Sequence, residues 1–314
     1  MPGFTIKVPA SSGNMGAGFD TIGVAHDLYN ELKLNISSSV SNDPKLFIAF
    51  TSDNLEANRD IPADQSNLVY RVFAECIHKL DRKMPAEITM EFDNQIPVAR
   101  GLGSSTTAIL MGVFSAVCAV NAQPDPGLAI KEVFQREGHL DNGAPSFFGG
   151  ATLSWAYNDL PYVRLLGVNP NLSTTVLIPD FPVLTEQARQ ALPEQVPFRD
   201  ALINLRSSAL LVNLLSSPNF SNWDLLQATQ DALHQPYRQS LMPASWELMT
   251  TLREQGYPAM ISGAGPTILV LQSKKELEPS SSIIEIAEDF PNFQVRPTNI
   301  PATGIQVQQL RTGN

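Results

Sequence analysis

The stretch Ile96–Gly112, "IPVARGLGSSTTAILMG", constrains the fold more than any other part of the chain. Gly101 and Gly103 allow a tight turn and a close approach of the backbone to a ligand, because they carry no Cβ. The apolar run that follows predicts a long, mostly buried helix over residues 104–122, capped by one of the two serines at its start. Unpaired N–H groups and the dipole at such a helix start favour an anion. The stretch therefore predicts either a phosphate-binding turn or a plain tight turn before a buried helix.

The two common phosphate-binding patterns do not fit this stretch. In the dinucleotide-binding pattern, threonine (Thr106) stands where the third glycine belongs, and no acidic residue follows about 20 positions later at a strand end. The Gly-Lys-Ser/Thr of the Walker loop occurs nowhere in the chain. A phosphate site here would be of a third kind.

Hydrophobic periodicity predicts strands mixed with helices on a largely antiparallel plan, and hence an α+β fold. The predicted strands cover residues 4–10, 30–37, 45–50, 87–94 and 173–180. The predicted helices cover residues 67–80, 127–138, 201–217 and 223–237, and "AMISGAGPTILVLQ" at 259–272 predicts a strand and a glycine turn before a second apolar segment. Residues 278–283 are expected to form a loop. The composition shifts near Gly149–Trp155, which predicts two lobes, 1–154 and 155–314.

The charge of the chain bears on its partners. With 314 residues and a formal net charge of −10, it is not expected to bind nucleic acid or an anionic membrane. The sequence begins without a signal-peptide pattern, and its longest apolar run is too short for a membrane span, so we expect a cytoplasmic protein. The two cysteines, Cys76 and Cys118, lie in apolar segments and are expected to be buried free thiols.

Two more glycine loops accompany the first. "PASSGNMGAGFD" at 9–20 carries Asn14 and Asp20, and "SGAGPT" occupies 262–267. In order and approximate spacing, the three loops together resemble the signature motifs of the GHMP kinases, the family of small-molecule kinases named for galactose, homoserine, mevalonate and phosphomevalonate. The segments "REGHLDNGAPSFFGG", "LTEQARQALP" and "LHQPYR" are most similar to its homoserine-kinase branch, and the resemblance covers nearly the whole chain.

The resemblance implies a fold and an activity. The fold would have an N-terminal lobe like domain 2 of ribosomal protein S5, with a left-handed βαβ unit, and a ferredoxin-like C-terminal lobe. The activity would be ATP-dependent phosphorylation of the hydroxyl of L-homoserine, on the route to threonine. The alternatives are a GHMP kinase for another small carboxylated alcohol and a catalytically silent binding protein of the same fold. Since family members are often dimers, the resemblance also allows a homodimer.

The resemblance assigns the nucleotide and the metal to particular residues. ATP phosphates would lie on the central loop, formed by Pro97, Val98, Ala99, Arg100, Gly101, Leu102, Gly103, Ser104, Ser105, Thr106 and Thr107. Mg²⁺ would be held by hard oxygen ligands of Ser105 and Glu137.

The acceptor residues are implied in the same way. A carboxylated acceptor calls for arginine, whose planar fork matches two oxygens, and the resemblance supplies Arg189 and Arg238. Asn14, Asp20 and Asn142 would hold the amino and hydroxyl groups. Asp20 could also take part in catalysis.

Asp141 stands where mevalonate-type relatives carry an acid that accepts the hydroxyl proton, so we predict a catalytic role for it beside Asp20. The homoserine branch leans towards transition-state stabilisation without a dedicated base. His139 is expected to be structural.

Several positions depart from the family pattern. Ala99 stands where glycine is usual, and it would be strained if that position needs a positive φ. Gly143 stands where valine is usual, and Ala17 replaces a proline of the first loop. Arg206 is displaced by one position, about 100° around a helix, and cannot replace the usual arginine. None of these changes removes a predicted ligand.

Overall fold

Strands form two separate sheets in the computed structural model, which describes residues 3–52, 54–58, 60–121, 125–274 and 279–310. In this part of the chain the strands are β1 Gly3–Ser12, β2 Ile22–Ile36, β3 Lys45–Phe50, β4 Glu87–Asn94, β5 Ala151–Tyr157, β6 Leu160–Leu166, β7 Leu172–Pro179, β8 Ala259–Ile261, β9 Ile268–Ser273, β10 Phe293–Thr298 and β11 Gln306–Leu310. The α-helices are α1 Leu55–Asn58, α2 Leu68–Lys79, α3 Ser104–Ala119, α4 Pro126–Glu137, α5 Gly143–Phe148, α6 Thr185–Gln190, α7 Phe198–Ser216, α8 Asn222–Ala228, α9 Gln235–Arg238, α10 Pro243–Glu254 and α11 Pro279–Glu288.

The first sheet has the order β11-β1-β2-β4-β3, with β5 beside β2 and β6 beside β5. The second sheet has the order β10-β7-β9-β8. Among the strand pairs described, only β3 and β4 run parallel, and the chain between them contains α2, because parallel neighbours need a crossover connection. The largely antiparallel α+β prediction is confirmed.

The main core lies between the first sheet and helices α2, α3 and α4. Strand β4 shows how the sequence builds it: in "EITMEFDN" the alternate residues Ile88, Met90 and Phe92 are buried. Helix α3 is apolar almost all round, and most of its residues are buried. The predicted apolar helix is therefore the central helix of the first lobe, but it ends at Ala119 and not at the expected residue 122, which lies outside the described residues.

The two lobes share a core. One face of the second sheet, including Val176 and Leu269, joins α7 and α8 in a cluster that also contains Ala10 and Val24 of the first sheet. The opposite face packs on α10 and α11. The loops where the lobes meet are consequently held from both sides.

The boundary expected between residues 154 and 155 lies inside β5. β6 continues the first sheet, and β11, near the other end of the chain, pairs with β1. The second sheet begins only at Leu172. A shift in composition could not reveal that the first sheet also takes in β11, because β11 is distant in sequence from its partner β1.

Two predicted elements differ in the structure. Residues 278–283 were expected to be a loop, but α11 begins at Pro279 (Glu278 is outside the described residues). Proline is favoured in the first helical turn, and Ile283 and Ala287 follow at i, i+4 spacing and are buried.

The helix predicted over 223–237 is interrupted after α8. The Asp231 carboxylate accepts hydrogen bonds from the N–H groups of Leu233, His234 and Gln235, so the chain turns there and restarts as α9. No helix in the described part of the chain is long and apolar enough to cross a membrane.

The predicted serine cap of α3 is also wrong. The residue before the helix is Gly103 at φ 73°, and no side chain caps the helix start. Ser104 and Ser105 lie within the first turn instead. The first N–H groups of α3 are thus left without a side-chain cap.

Candidate active site

Three glycine-containing loops meet at one cavity of about 540 Å³. They are the first loop, residues 9–20, the second loop, residues 97–107, and the third loop, residues 262–267. The Asn14 side-chain Nδ2 donates to the carbonyl of Gly263 (2.7 Å), and the N–H of Ser11 donates to the carbonyl of Leu102 (3.1 Å). Loops that are more than 70 residues apart in sequence are therefore bonded directly to one another.

The second loop presents backbone N–H groups towards a possible ligand. Gly101 and Gly103 have φ values of 75° and 73°, which L-residues rarely adopt. The first helical hydrogen bond runs from the N–H of Thr107 to the carbonyl of Gly103 (2.9 Å). Among the described residues, no acceptor pairs with the N–H groups of residues 101–106. Consecutive free donors at a helix start form an anion site.

Most residues of the second loop that were predicted to bind nucleotide line the cavity, namely Val98, Ala99, Arg100, Gly101, Gly103, Ser104, Ser105 and Thr106. Pro97, Leu102 and Thr107 do not line it; they are buried behind it. The latter three therefore support the loop from behind.

The Arg100 side chain is directed to the second lobe. Its Nε donates to the carbonyl of Pro179 (3.0 Å) and its Nη2 to that of Asp180 (2.7 Å), at the end of β7. The guanidinium thus fastens the second loop to the second sheet. The sequence could not distinguish this role from a contact with phosphate.

The Glu137 carboxylate faces the start of α3. The Thr106 hydroxyl donates to its Oε2 (2.6 Å), and Ser105 hydrogen-bonds it as well. Burial raises the pKa of Glu137, although His139 and the two hydroxyls oppose that shift. A half-buried carboxylate with two hydroxyls beside it is an oxygen donor set of the kind that Mg²⁺ prefers.

At the acceptor end, Asp20 and Arg189 pair with each other. Arg189 Nη1 donates to Asp20 Oδ2 (2.7 Å) and its Nη2 to Oδ1 (3.0 Å), in a two-pronged ion pair between the first loop and α6. Both side chains line the cavity and are partly exposed. The sequence predicted each residue at the site but not that they would pair.

Arg238 lies deeper and is 2% exposed. Its Nε donates to the carbonyl of Ala188 (3.0 Å), and its Nη1 contacts the Gly263 carbonyl (3.2 Å) and His234 Nδ1 (3.1 Å). Burial, reinforced by the charge of Arg189, lowers the pKa of Arg238 to about 10. In the part of the chain described, Nη2 has no hydrogen-bond acceptor, and the side chain lines the cavity.

Phe19 positions both guanidinium groups and was missed by the sequence analysis. Its ring centroid lies 5.6 Å from the guanidinium carbon of Arg189 and 5.5 Å from that of Arg238, which are cation–π distances. The ring also stacks on His234 at 5.2 Å. Its place directly before Asp20 was the available signal.

His139 and Asp141 form a close pair beside these groups. His139 Nδ1 lies 2.5 Å from Asp141 Oδ1, and the Asn14 N–H donates to Asp141 Oδ2 (3.0 Å). Burial alone would lower the pKa of His139, but the charge and hydrogen bond of Asp141 outweigh it and raise that pKa to about 9. Burial would raise the pKa of Asp141, but His139 holds it below its usual range. The pair therefore carries a protonated imidazole and a carboxylate at neutral pH.

Asn14 and Asn142 line the same end of the cavity. Asn14 Oδ1 accepts from the N–H of Asp20 (2.9 Å), and Asn142 Oδ1 accepts from the Ser11 hydroxyl (3.2 Å). Asn14 has φ 68°, a left-handed conformation that asparagine tolerates better than most residues. Both side chains tie neighbouring loops together as well as facing the cavity.

The cavity also has an apolar part, the apolar arm. Its lining comes from β3, β4, α2 and α3, and includes Phe50, Phe92, Leu68, Ala108 and Met111. The rings of Phe50 and Phe92 lie 5.7 Å apart at an angle of 27°. In the sequence these residues carried only the pattern of core residues, so the arm could not be predicted.

Comparisons with known proteins agree with this arrangement. Residues 67–150 match the GHMP kinase N-terminal domain, and residues 210–287 match the GHMP kinase C-terminal domain. A homoserine kinase of Clavibacter michiganensis subsp. michiganensis is 39% identical over 85% of this chain and 82% of its own length. A homoserine kinase of Corynebacterium kroppenstedtii is 36% identical over 98% of this chain and 96% of its own length. The crystal structure of homoserine kinase from Cytophaga hutchinsonii superposes with a TM-score of 0.81 at 25% identity, over 98% of this chain and 97% of that one.

Proposed function

We propose, since the chain belongs to the GHMP kinase family, that it transfers the terminal phosphoryl group of ATP to the hydroxyl of L-homoserine, forming O-phospho-L-homoserine for threonine biosynthesis. One observation carries the choice of acceptor. A cradle of free backbone N–H groups and a two-pronged carboxylate–guanidinium pair open into the same cavity. The first suits phosphates, and the second suits a small zwitterion.

The acceptor would exchange partners with the Asp20–Arg189 pair. Its ammonium group would bind Asp20, and its carboxylate would bind Arg189 and the Nη2 of Arg238. Every charge remains paired in this exchange, so little desolvation is left uncompensated. A neutral sugar would have to open the ion pair without replacing it. Asn14 and Asn142 are proposed to hold the remaining polar groups.

The nucleotide would place its phosphates on residues 97–107 and its base in the apolar arm. The proposed metal ligands are Ser105 and Glu137, with the Thr106 hydroxyl beside them. A bound Mg²⁺ would neutralise part of the phosphate charge during transfer. The Glu137 carboxylate is half-buried, and desolvation raises its pKa, so a cation beside it would stabilise its charged form.

For the chemistry, we propose that the His139–Asp141 pair acts mainly through its charge. A protonated imidazole can stabilise the charge on the transferring phosphoryl group. Asp141 is a weak base because His139 lowers its pKa, so its proposed catalytic role is to keep His139 protonated and in place. Asp20 would orient the acceptor.

A panel of acceptors tests the proposed substrate. ADP release should be measured with homoserine, mevalonate, shikimate and galactose, and we expect turnover with homoserine only. Turnover with another carboxylated alcohol would identify a different GHMP kinase. An absence of turnover with every acceptor would favour a binding protein and refute the proposal.

Arginine variants test the acceptor clamp. Because Arg189 is 44% exposed, Arg189→Ala should raise KM for homoserine about tenfold, whereas Arg238→Lys, at a buried position, should raise it about 100-fold. The matched control is Arg206→Ala on the exposed surface of α7, which should leave KM unchanged. A wild-type KM for homoserine in both clamp variants would remove the clamp from the mechanism.

The metal site is tested separately. Ser105→Ala and Glu137→Gln should each shift the Mg²⁺ concentration that gives half-maximal rate upwards, about tenfold or more. Glu254→Gln, an exposed glutamate at the end of α10, is the control. Unchanged Mg²⁺ dependence in both site variants would contradict the assignment.

The homodimer and the cytoplasmic location stay predictions. Sedimentation equilibrium would test the first, with an expected mass of twice the 34.2 kDa chain. Cell fractionation would test the second.

A further inference from the structure

A line of buried polar side chains connects the second sheet to the second loop. Thr298 Oγ1, at the end of β10, lies 3.2 Å from His26 Nδ1 in β2. His26 Nε2 lies 2.7 Å from Ser12 Oγ, which lies 2.6 Å from Ser262 Oγ in the third loop. Ser262 Oγ donates to the carbonyl of Gly101 (2.6 Å). Ser12, His26 and Ser262 are fully buried.

Proton counting fixes the direction of the three bonds that run from His26 to Gly101. A carbonyl only accepts, so the single hydroxyl proton of Ser262 points at Gly101. Ser262 must then accept from Ser12, and Ser12, whose own proton is used, must accept from His26. Therefore His26 carries a proton on Nε2. Its Nδ1 faces the Thr298 hydroxyl, which also lies 3.4 Å from the carbonyl of Thr174.

The protonation state of His26 agrees with this assignment. Burial lowers the pKa of His26 to about 4, against the weaker opposing effect of Asp27, so the ring is neutral at physiological pH. A neutral imidazole has one donor and one acceptor nitrogen. The donor here is Nε2.

The end of the line fixes a peptide group of the second loop. In a planar trans peptide the C=O and the following N–H point in opposite directions. Holding the Gly101 carbonyl against Ser262 therefore directs the N–H of Leu102 away from the third loop. The contact is also tight, since a Cβ on Gly101 would lie 2.3 Å from the carbonyl oxygen of Ser262.

We propose that His26 is a positioning residue for nucleotide binding: its Nε2–H sets Ser12 and Ser262, which orient the Gly101–Leu102 peptide so that the second loop presents its N–H groups to the phosphates of ATP. The inference rests on the proposed phosphoryl-transfer function. His26 itself contacts no substrate. Its loss is therefore expected to weaken the binding of ATP and to leave the binding of the acceptor unchanged.

Two substitutions of similar polarity separate the two sides of the imidazole. His26→Gln places an amide N–H near the position of Nε2 and can still donate to Ser12. His26→Asn places its amide near Nδ1, facing Thr298, and is too short to reach Ser12. Both leave a polar group in the same buried site, so a general packing or folding defect should affect them alike.

The primary measurement is the Kd of ATP in the presence of Mg²⁺, by calorimetry on the intact chain without acceptor. We expect His26→Asn to bind ATP about fivefold more weakly than wild type, which is the value of one hydrogen bond of about 1 kcal/mol, and His26→Gln to be close to wild type. Hydrogen exchange over residues 97–107 should be faster in the Asn variant only. Where turnover is measured, KM for ATP should rise and KM for homoserine should not.

A Ser12→Ala background supplies the coupling test. Once Ser12 is removed, the Gln and Asn variants should have equal ATP affinity, and Ser12→Ala alone should weaken ATP about fivefold. Three results would each overturn the proposal. In the presence of Ser12, the His26→Gln and His26→Asn variants could bind ATP equally well, or the Gln variant could bind it more weakly than the Asn variant. Alternatively, Ser12→Ala alone could leave the affinity for ATP unchanged. Because ATP binding is measured without acceptor, these outcomes do not depend on whether homoserine is the substrate.

Discussion

Gly143, where relatives usually carry valine, makes a quantitative prediction about the packing behind the site. It is the first residue of α5 and directly follows Asp141 and Asn142. A Cβ added there would lie 2.6 Å from Cγ1 of Val133, which is fully buried in α4. Valine in a helix has one strongly preferred rotamer, so Val133 cannot swing aside. The departure from the family pattern is thus explained by the residue that fills the same space.

The expected change in the free energy of unfolding follows from the steric clash, the higher helix propensity of alanine and the methyl groups lost from Val133. Overpacking costs about 1–3 kcal/mol, and a Gly→Ala change in a helix returns at most about 1 kcal/mol, so Gly143→Ala should lower the free energy of unfolding by about 1 kcal/mol. Val133→Ala removes two methyl groups and should lower it by about 2 kcal/mol. In the double variant the new Cβ occupies the vacated space, so the loss should be about 1 kcal/mol instead of 3.

Urea unfolding of the four proteins in this cycle measures the coupling, expected at about 2 kcal/mol. The kcat should fall in Gly143→Ala, because α5 must move and carries Asn142 with it, and should recover in the double variant. Gly127→Ala, exposed in the first turn of α4, is the control and should be neutral or stabilising by up to about 1 kcal/mol. Additivity within about 0.5 kcal/mol would refute the steric explanation.

Three further predictions concern Ala99, His26 and the two cysteines. Ala99 has φ 56°, so Ala99→Gly should raise the free energy of unfolding by about 0.5–1 kcal/mol in urea titrations, since relief of about 1–2 kcal/mol of strain exceeds the added freedom of the unfolded chain; an unchanged or lower value would refute this. Burial lowers the pKa of His26 to about 4, whereas its value in the unfolded chain is 6.5, so between these pH values only the unfolded chain takes up the proton. The free energy of unfolding should therefore fall as the pH is lowered from 6.5 to 4, by at most about 3 kcal/mol. This pH-dependent component should be absent in His26→Gln. Cys76 is buried as expected, whereas Cys118 is only half-buried. Desolvation raises the pKa of Cys76 to about 11 and of Cys118 to about 12, so an aromatic disulfide reagent at pH 8 should label both thiols much more slowly in the folded than in the unfolded protein; rapid labelling of the folded protein would contradict it.

Much of the fold was predictable because its signals are local. The alternation of β4 and the periodicity of α2 each depend on a few neighbouring residues, and the structure confirms both. The course of β11 back to the first sheet depends on a pairing with β1 some 300 residues away, which no local pattern encodes. The same limit applies to the boundary expected between residues 154 and 155, which lies inside β5.

The candidate site also combines features that local sequence predicts with features that depend on distant residues. The glycine turns of the second loop could be predicted because a positive φ has a direct signature in residue type. The Asp20–Arg189 pair joins residues 169 apart, and the His139–Asp141 pair needs a buried turn to bring the two groups together. Sequence could identify these residues one by one, but their protonation and pairing depend on the packing around them.

Arginine shows most clearly why residue type alone does not define an anion site. Arg100 lies in the phosphate-binding motif, yet its side chain donates to carbonyls at the end of β7, and its charge holds two lobes together. Arg238 lies outside that motif, but one of its nitrogens has no acceptor among the described residues and its side chain lines the cavity. What separates them is how many carbonyl oxygens the fold places around each guanidinium. In the proposed site, a chain with a net charge of −10 would bind anionic substrates through a few uncommitted donors, most of them backbone N–H groups, without any excess of basic residues.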